Sequence, residues 1–150
     1  MRRLLLLALC ALIATPALGQ TSRPSFSIDN ASAAEDSGKL CFNVRKHGRL
    51  NSEPSTVQFY QIQGTAQPGL DYVDSSLVLA FTAAQTSQQA CVELANDAAP
   101  EATESLTGKL VALQNARLYD GTAVGTITDS DVIPPPPPPT QTCPDGSVIL

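Results

Sequence analysis

The chain has 150 residues, with 14 acidic side chains against 9 basic ones and a single histidine. That length suits one domain with tails. So acidic a chain lacks the basic patch that nucleic-acid binding requires and offers anionic lipid nothing to attract.

Residues 1–19 read as a secretory signal peptide. Met1-Arg2-Arg3 opens the chain, an apolar run follows from Leu4 to Ala14, and Ala17-Leu18-Gly19 supplies small residues at a cut before Gln20. The apolar run is shorter than the ~20 residues a membrane helix needs. Cys10 lies inside the run and leaves with it. The mature chain is therefore expected to be exported, to be periplasmic, cell-surface or secreted, and to have no transmembrane segment.

From Pro24 to Val132 the apolar residues mostly alternate, which is the period of strands. Ser25 to Ala31 places Phe26 and Ile28 on one face. Lys39 to Lys46 does the same with Leu40, Phe42 and Val44, and Thr56 to Ile62 with Val57 and Phe59. Ser76 to Thr82 carries Leu77, Leu79 and Phe81, and Gln88 to Leu94 carries Ala90, Val92 and Leu94. Leu106 to Leu113 is mixed and locally compatible with a helix, while Ala123 to Thr128 closes the series with Ile127. Gly, Pro, Asn and Asp punctuate the gaps, as at His47-Gly48, Gln67-Pro68-Gly69 and Asp120-Gly121. Seven short strands with turn signals between them predict an all-β, two-sheet sandwich over residues 24–132. Residues 133–150 form a separate unit, in which Pro134 to Pro139 is a stiff polyproline spacer before a short tail.

If successive strands run antiparallel, alternate loops gather at one end of the sandwich. Those loops hold Glu35, Asp36, Asp71, Asp74, Asp97, Glu101, Glu104, Asp129 and Asp131. The opposite end holds His47, Arg49 and Arg117, with Glu53 and Asp120. Like charges destabilise one another at close range, and a hard cation such as calcium, with six to eight oxygen ligands, relieves them. A solvated acidic surface is the plainer reading of the same residues.

One segment is distinctive. Gln63-Gly64-Thr65-Ala66-Gln67-Pro68-Gly69-Leu70-Asp71-Tyr72 is similar to the Gly-Thr-Ala, Gly, Asp-Tyr signature of Calx-beta domains. Gly38 to Arg45, Leu79-Ala80-Phe81, Asn96-Asp97 with Glu101 and Glu104, and Gly125 to Asp131 resemble further parts of that family, in the same order. The resemblance implies a seven-stranded immunoglobulin-like antiparallel β-sandwich. In calcium-binding members, such as those of sodium/calcium exchangers, ions sit among the loops at one end. Carried over residue by residue, the resemblance implies calcium as cofactor and Glu35, Asp71, Asp97, Glu101, Glu104, Asp129 and Asp131 as its ligands. Asn96 stands where an aspartate is common, Ser130 interrupts a run often written as three aspartates, and Ala84 and Ala98 replace other frequent residues. Each lost charge lowers the expected affinity.

The fold implied by the resemblance makes the second and fifth strands neighbours, which allows a Cys41–Cys91 disulfide after export; two packed thiols fit the same residues. Cys143 in the tail is then left over, for a second chain or for another envelope or surface protein. Catalysis has little to stand on. His47 sits in a turn, no Gly-x-Ser-x-Gly or metal-binding histidine pattern occurs, and the chain has no Trp to line a sugar cleft. The expected function is a non-enzymatic, exported calcium-binding module for adhesion, cell-surface interaction or structural use. The alternative is a calcium-independent scaffold displayed on the proline stalk.

Overall fold

In the computed structural model, residues 23–48 and 53–131 are described, together with the backbone of 141–142 and 148–149. The expected signal peptide (1–19), the expected polyproline spacer and Cys143 lie outside the described residues. The strands are β1 (Ser25–Ile28), β2 (Ala31–Ala34), β3 (Lys39–His47), β4 (Ser55–Gln63), β5 (Ser76–Phe81), β6 (Ser87–Glu93), β7 (Glu104–Gln114), β8 (Arg117–Asp120) and β9 (Thr122–Thr128). A 3-10 turn, Glu35–Ser37, joins β2 to β3. Gln141–Thr142 and Val148–Ile149 pair with each other as β10 and β11. Among the described residues no helix is long and apolar enough to cross a membrane.

Two sheets face each other, in the orders β6-β3-β1-β8 and β2-β9-β7-β4-β5. The expected first strand is divided. Asp29 stays with the first sheet, its carboxylate taking Arg45 Nε at 2.6 Å and Asn43 Nδ2 at 3.0 Å. Asn30 turns to the second sheet, where its Oδ1 accepts the Val124 N–H at 2.8 Å. This crossover gives β1 and β2 parallel partners, β8 and β9, within an otherwise antiparallel sandwich. The β8 strand was not foreseen because all four of its residues are exposed and carry no alternation. The β7 segment is a strand throughout, its ambiguous helical pattern overridden by full pairing with β4 and β9.

The alternating residues meet in the core. Phe26 packs edge-on to Phe81 with centroids 5.0 Å apart, and Phe42 lies 5.3 Å from Phe59. Phe42 fits because β9 offers Gly125 opposite it, where a Cβ would come within 2.6 Å of both the Phe42 ring and Leu40. Cys41 and Cys91 are register partners on β3 and β6 and form a disulfide, with Cα atoms 4.0 Å apart. Their neighbours Leu40, Phe42, Ala90 and Val92 are buried in the core, so the bond lies on the sheet's other face.

Candidate metal centre

The Gly-Thr-Ala to Asp-Tyr segment is a clamp whose residue types follow from its contacts. Gly64 lies so close to the Ser105 carbonyl that no Cβ fits. The Thr65 hydroxyl accepts the Ser105 N–H at 2.8 Å, and the Ala66 N–H returns to the Ser105 carbonyl at 2.9 Å. Ala66 and Tyr72 are buried in the core and anchor the two ends of the loop. Between them Gly69 takes a positive φ of 86°, and Asp71 Oδ2 accepts the Gln67 N–H at 2.6 Å. The segment therefore fixes Asp71 against the start of β7, where Glu104 stands beside Ser105.

Other elements bring in the remaining acids. The 3-10 turn closes with Gly38 at a φ of 74° and holds Glu35 at 5% exposure. The exit from β9 delivers Asp129 and Asp131. Two triads result, Glu35 with Asp129 and Asp131, and Asp71 with Glu101 and Glu104. In each, one carboxylate oxygen from every member lies within 4.8 Å of the others. The triads border one cleft, lined by Glu35, Asp71, Glu101, Glu104 and Asp129 above Ile127 and Ala102. They are also stitched together: Asp129 Oδ2 accepts the Glu101 N–H at 2.9 Å, and its Oδ1 accepts the Asp131 N–H at 2.8 Å.

These surroundings polarise the group. Its two backbone hydrogen bonds, from Asp131 and Glu101, hold Asp129 below the usual carboxylate range. Burial raises Glu35, and repulsion from Asp129 and Asp131 adds to it. Glu104 is pushed up to about 7, first by burial and then by its hydrogen bond and charge repulsion with Asp71. Burial also raises Glu101, helped by Asp71 and Asp97. Asp131 Oδ2 is buried without a hydrogen-bond partner, an expensive state for a carboxylate oxygen. Ser130 Oγ approaches Glu35 Oε1 at 3.4 Å and Asn96 Oδ1 at 3.5 Å, so two of the four departures from the family pattern, Ser130 and through it Asn96, bring neutral oxygens to the side of the Glu35 triad.

Of the seven ligands the resemblance implies, the cleft and its triads gather six. Asp97 lies outside both triads; it is exposed, and its Oδ1 accepts the Ala99 N–H at 2.7 Å, which shapes the loop ahead of Glu101. Asp36 and Asp74 are likewise exposed and belong to neither triad. The division into two triads follows from which loop lies against which and has no signal in residue spacing. His47, hydrogen-bonded to Ser27 at 2.7 Å, lies at the other end of β3 from the acidic turn. The triads are built wholly of carboxylates, a donor set that suits a hard divalent cation rather than zinc or copper.

Fold and site together define an immunoglobulin-like β-sandwich with an acidic cleft between the loops at one end. The sequence model of the Calx-beta domain matches residues 20–131, and the chain belongs to the Calx-beta family. Among solved structures, the apo-form Calx CBD1 domain is similar at 22% identity and a TM-score of 0.65, over 72% of this chain and 98% of that one. The Calx CBD2 domain is similar at 14% identity and a TM-score of 0.62, over 72% of this chain and 90% of that one. The calcium binding domain CBD12 of CALX1.1 is similar at 23% identity and a TM-score of 0.60, over 71% of this chain but only 46% of that longer one. At these identities the likeness establishes the fold. No curated protein matched the chain.

Proposed function

We propose that the chain is an exported, non-catalytic calcium-binding module whose acidic loop end is ordered by the ion. The observation that carries this reading is the pair of carboxylate triads on one cleft, with the buried Asp131 Oδ2 lacking a partner. Such a cluster repels itself when ionised, and a divalent cation converts that repulsion into attraction. Glu35, Asp129 and Asp131 would hold one ion, and Asp71, Glu101 and Glu104 a second. Family membership and the likeness to the calcium binding domain CBD12 of CALX1.1 point the same way.

The ion supplies charge and a fixed geometry, and the protein's part is mechanical. Four separate stretches of chain contribute the carboxylates, so binding ties the β2–β3, β4–β5 and β6–β7 connections to the exit of β9. A loop end ordered in this way presents a constant surface to a partner, which suits adhesion, surface interaction or structural use. Millimolar extracellular calcium matches the weak affinity that Asn96 and Ser130 imply, since each replaces a charged ligand by a neutral one.

Titration calorimetry of the chain with calcium, with magnesium as the control, tests the reading. Calcium heat that saturates below a few millimolar, with a much weaker magnesium response, supports it; no heat with either ion overturns it. Export is tested separately, by mass spectrometry of the protein recovered outside the cytoplasm. Cleavage after Gly19 predicts a chain that begins at Gln20.

A further inference from the structure

The two triads are suspended from one short piece of backbone. At the end of β6 the Leu94 N–H donates to the Gly38 carbonyl at 3.1 Å, the Ala95 N–H to the Asp71 carbonyl at 3.0 Å, and the Val73 N–H to the Glu93 carbonyl at 2.9 Å. Gly38 closes the turn that carries Glu35, and Asp71 belongs to the other triad. Residues 93–95 therefore hold both halves of the cleft.

Two positions back along β6, Cys91 is bonded to Cys41, which stands two positions into β3 from Lys39. The disulfide thus crosses the last rungs of the β3–β6 ladder before residues 93–95. Cys91 also lines a groove with Val73, Ser75 and Leu77, the segment that leads from Asp71 into β5. Both cysteines are half-buried on the outer face of their sheet, between the exposed Lys39–Glu93 pair and the Asn43–Gln89 pair, where a small thiol can reach them.

We propose that the Cys41–Cys91 disulfide is a positioning lock for the acidic cleft, so that the calcium affinity of the site depends on the redox state of this pair. The inference rests on the calcium reading above. Reduction by a small dithiol breaks the S–S bond; the dithiol gives up two electrons and two protons, two cysteine thiols form, and the dithiol closes to its own disulfide. Without the bond the terminal rungs of β3–β6 open more readily, as strand ends do. The incoming ion must then order residues 93–95 together with the loops attached to them, and affinity falls. Coupling of this kind is commonly about tenfold and is reciprocal, so calcium protects the disulfide by the same factor. For a two-electron couple, tenfold corresponds to about 30 mV.

The test uses the full chain with Cys10 and Cys143 replaced by serine, so that Cys41 and Cys91 are its only cysteines. Calcium isotherms are measured on the oxidised chain and again after dithiothreitol, with circular dichroism to follow the fold. The expected result is about tenfold weaker binding after reduction, and a midpoint potential about 30 mV lower in saturating calcium than in EDTA. Cys41→Ser/Cys91→Ser should match the reduced chain and ignore the dithiol; if that variant fails to fold on production, the isotherm of the reduced chain, shown folded by circular dichroism, reads the coupling. Equal affinities in both redox states, or a midpoint that calcium does not move, overturn the lock alone. Unfolding on reduction also overturns it, because the bond would then hold the whole fold rather than the cleft. Absence of calcium binding in either state overturns the calcium reading and the lock together.

Discussion

Asp131 separates stability from binding at the scale of one residue. Its buried Oδ2 has no partner and its neighbours are Glu35 and Asp129. Asp131→Asn removes a charge that only a cation can satisfy. Without calcium the variant is expected to be at least as stable as the parent, by up to about 1 kcal/mol, while its calcium-linked stabilisation falls away; thermal unfolding in EDTA and in calcium reads both. Glu104 fixes a pH dependence. Its pKa is raised from the ordinary 4.5 to about 7 in the folded protein, so the folded state retains a proton that the unfolded chain releases. Its contribution to stability is complete below pH 4.5 and is lost as pH rises through about 7. Glu35 is shifted in the same direction, whereas Asp129, shifted down, matters only in more acidic solution. In EDTA the midpoint temperature is therefore expected to fall between pH 5 and pH 8, and a midpoint that rises over this range would contradict the crowding described here. The identity of these acids was legible in the sequence, because loop position alone collects them. That Asp131 is orphaned and that Asp97 stays outside both triads was not, because each depends on where one side-chain oxygen points.

At the scale of the elements, the sandwich depends on ring-sized gaps left by glycine. Gly125→Ala on β9 would drive a methyl into Leu40 and Phe42, and overpacking of this kind costs about 1–3 kcal/mol. Phe42→Ala leaves a cavity in the same place and is expected to cost about 3–5 kcal/mol; urea unfolding of the two variants measures both. Alternation revealed β3, β4, β5, β6 and β9 closely, since each presents one face to the core. It could not reveal the break between β1 and β2. That break depends on Asp29 finding Arg45 and Asn43 in one sheet while Asn30 caps Val124 in the other. Nor could alternation reveal β8, an exposed edge strand with no buried side chain. The Gly-Thr-Ala to Asp-Tyr segment was recognisable as a pattern, and the structure supplies its physics: a missing Cβ, a hydroxyl cap, a left-handed glycine and a buried tyrosine, all serving to press Asp71 against β7.

Across the whole molecule, the sandwich is a frame that holds repelling charges together. The β3–β6 and β4–β7–β9 ladders and the core between them position the loop end. The repulsion stored there is the part of the stability that calcium can recover. Thermal unfolding in EDTA and then through micromolar to millimolar calcium, with magnesium in parallel, tests this most directly. A ligand that binds only the folded state adds about 2.7 kcal/mol when present at a hundred times its dissociation constant. The expected result is a calcium-specific rise in the midpoint that Asp71→Asn and Asp131→Asn each reduce. A midpoint that stays flat through several millimolar calcium, or that rises equally with magnesium, would contradict the assignment of the cleft to calcium.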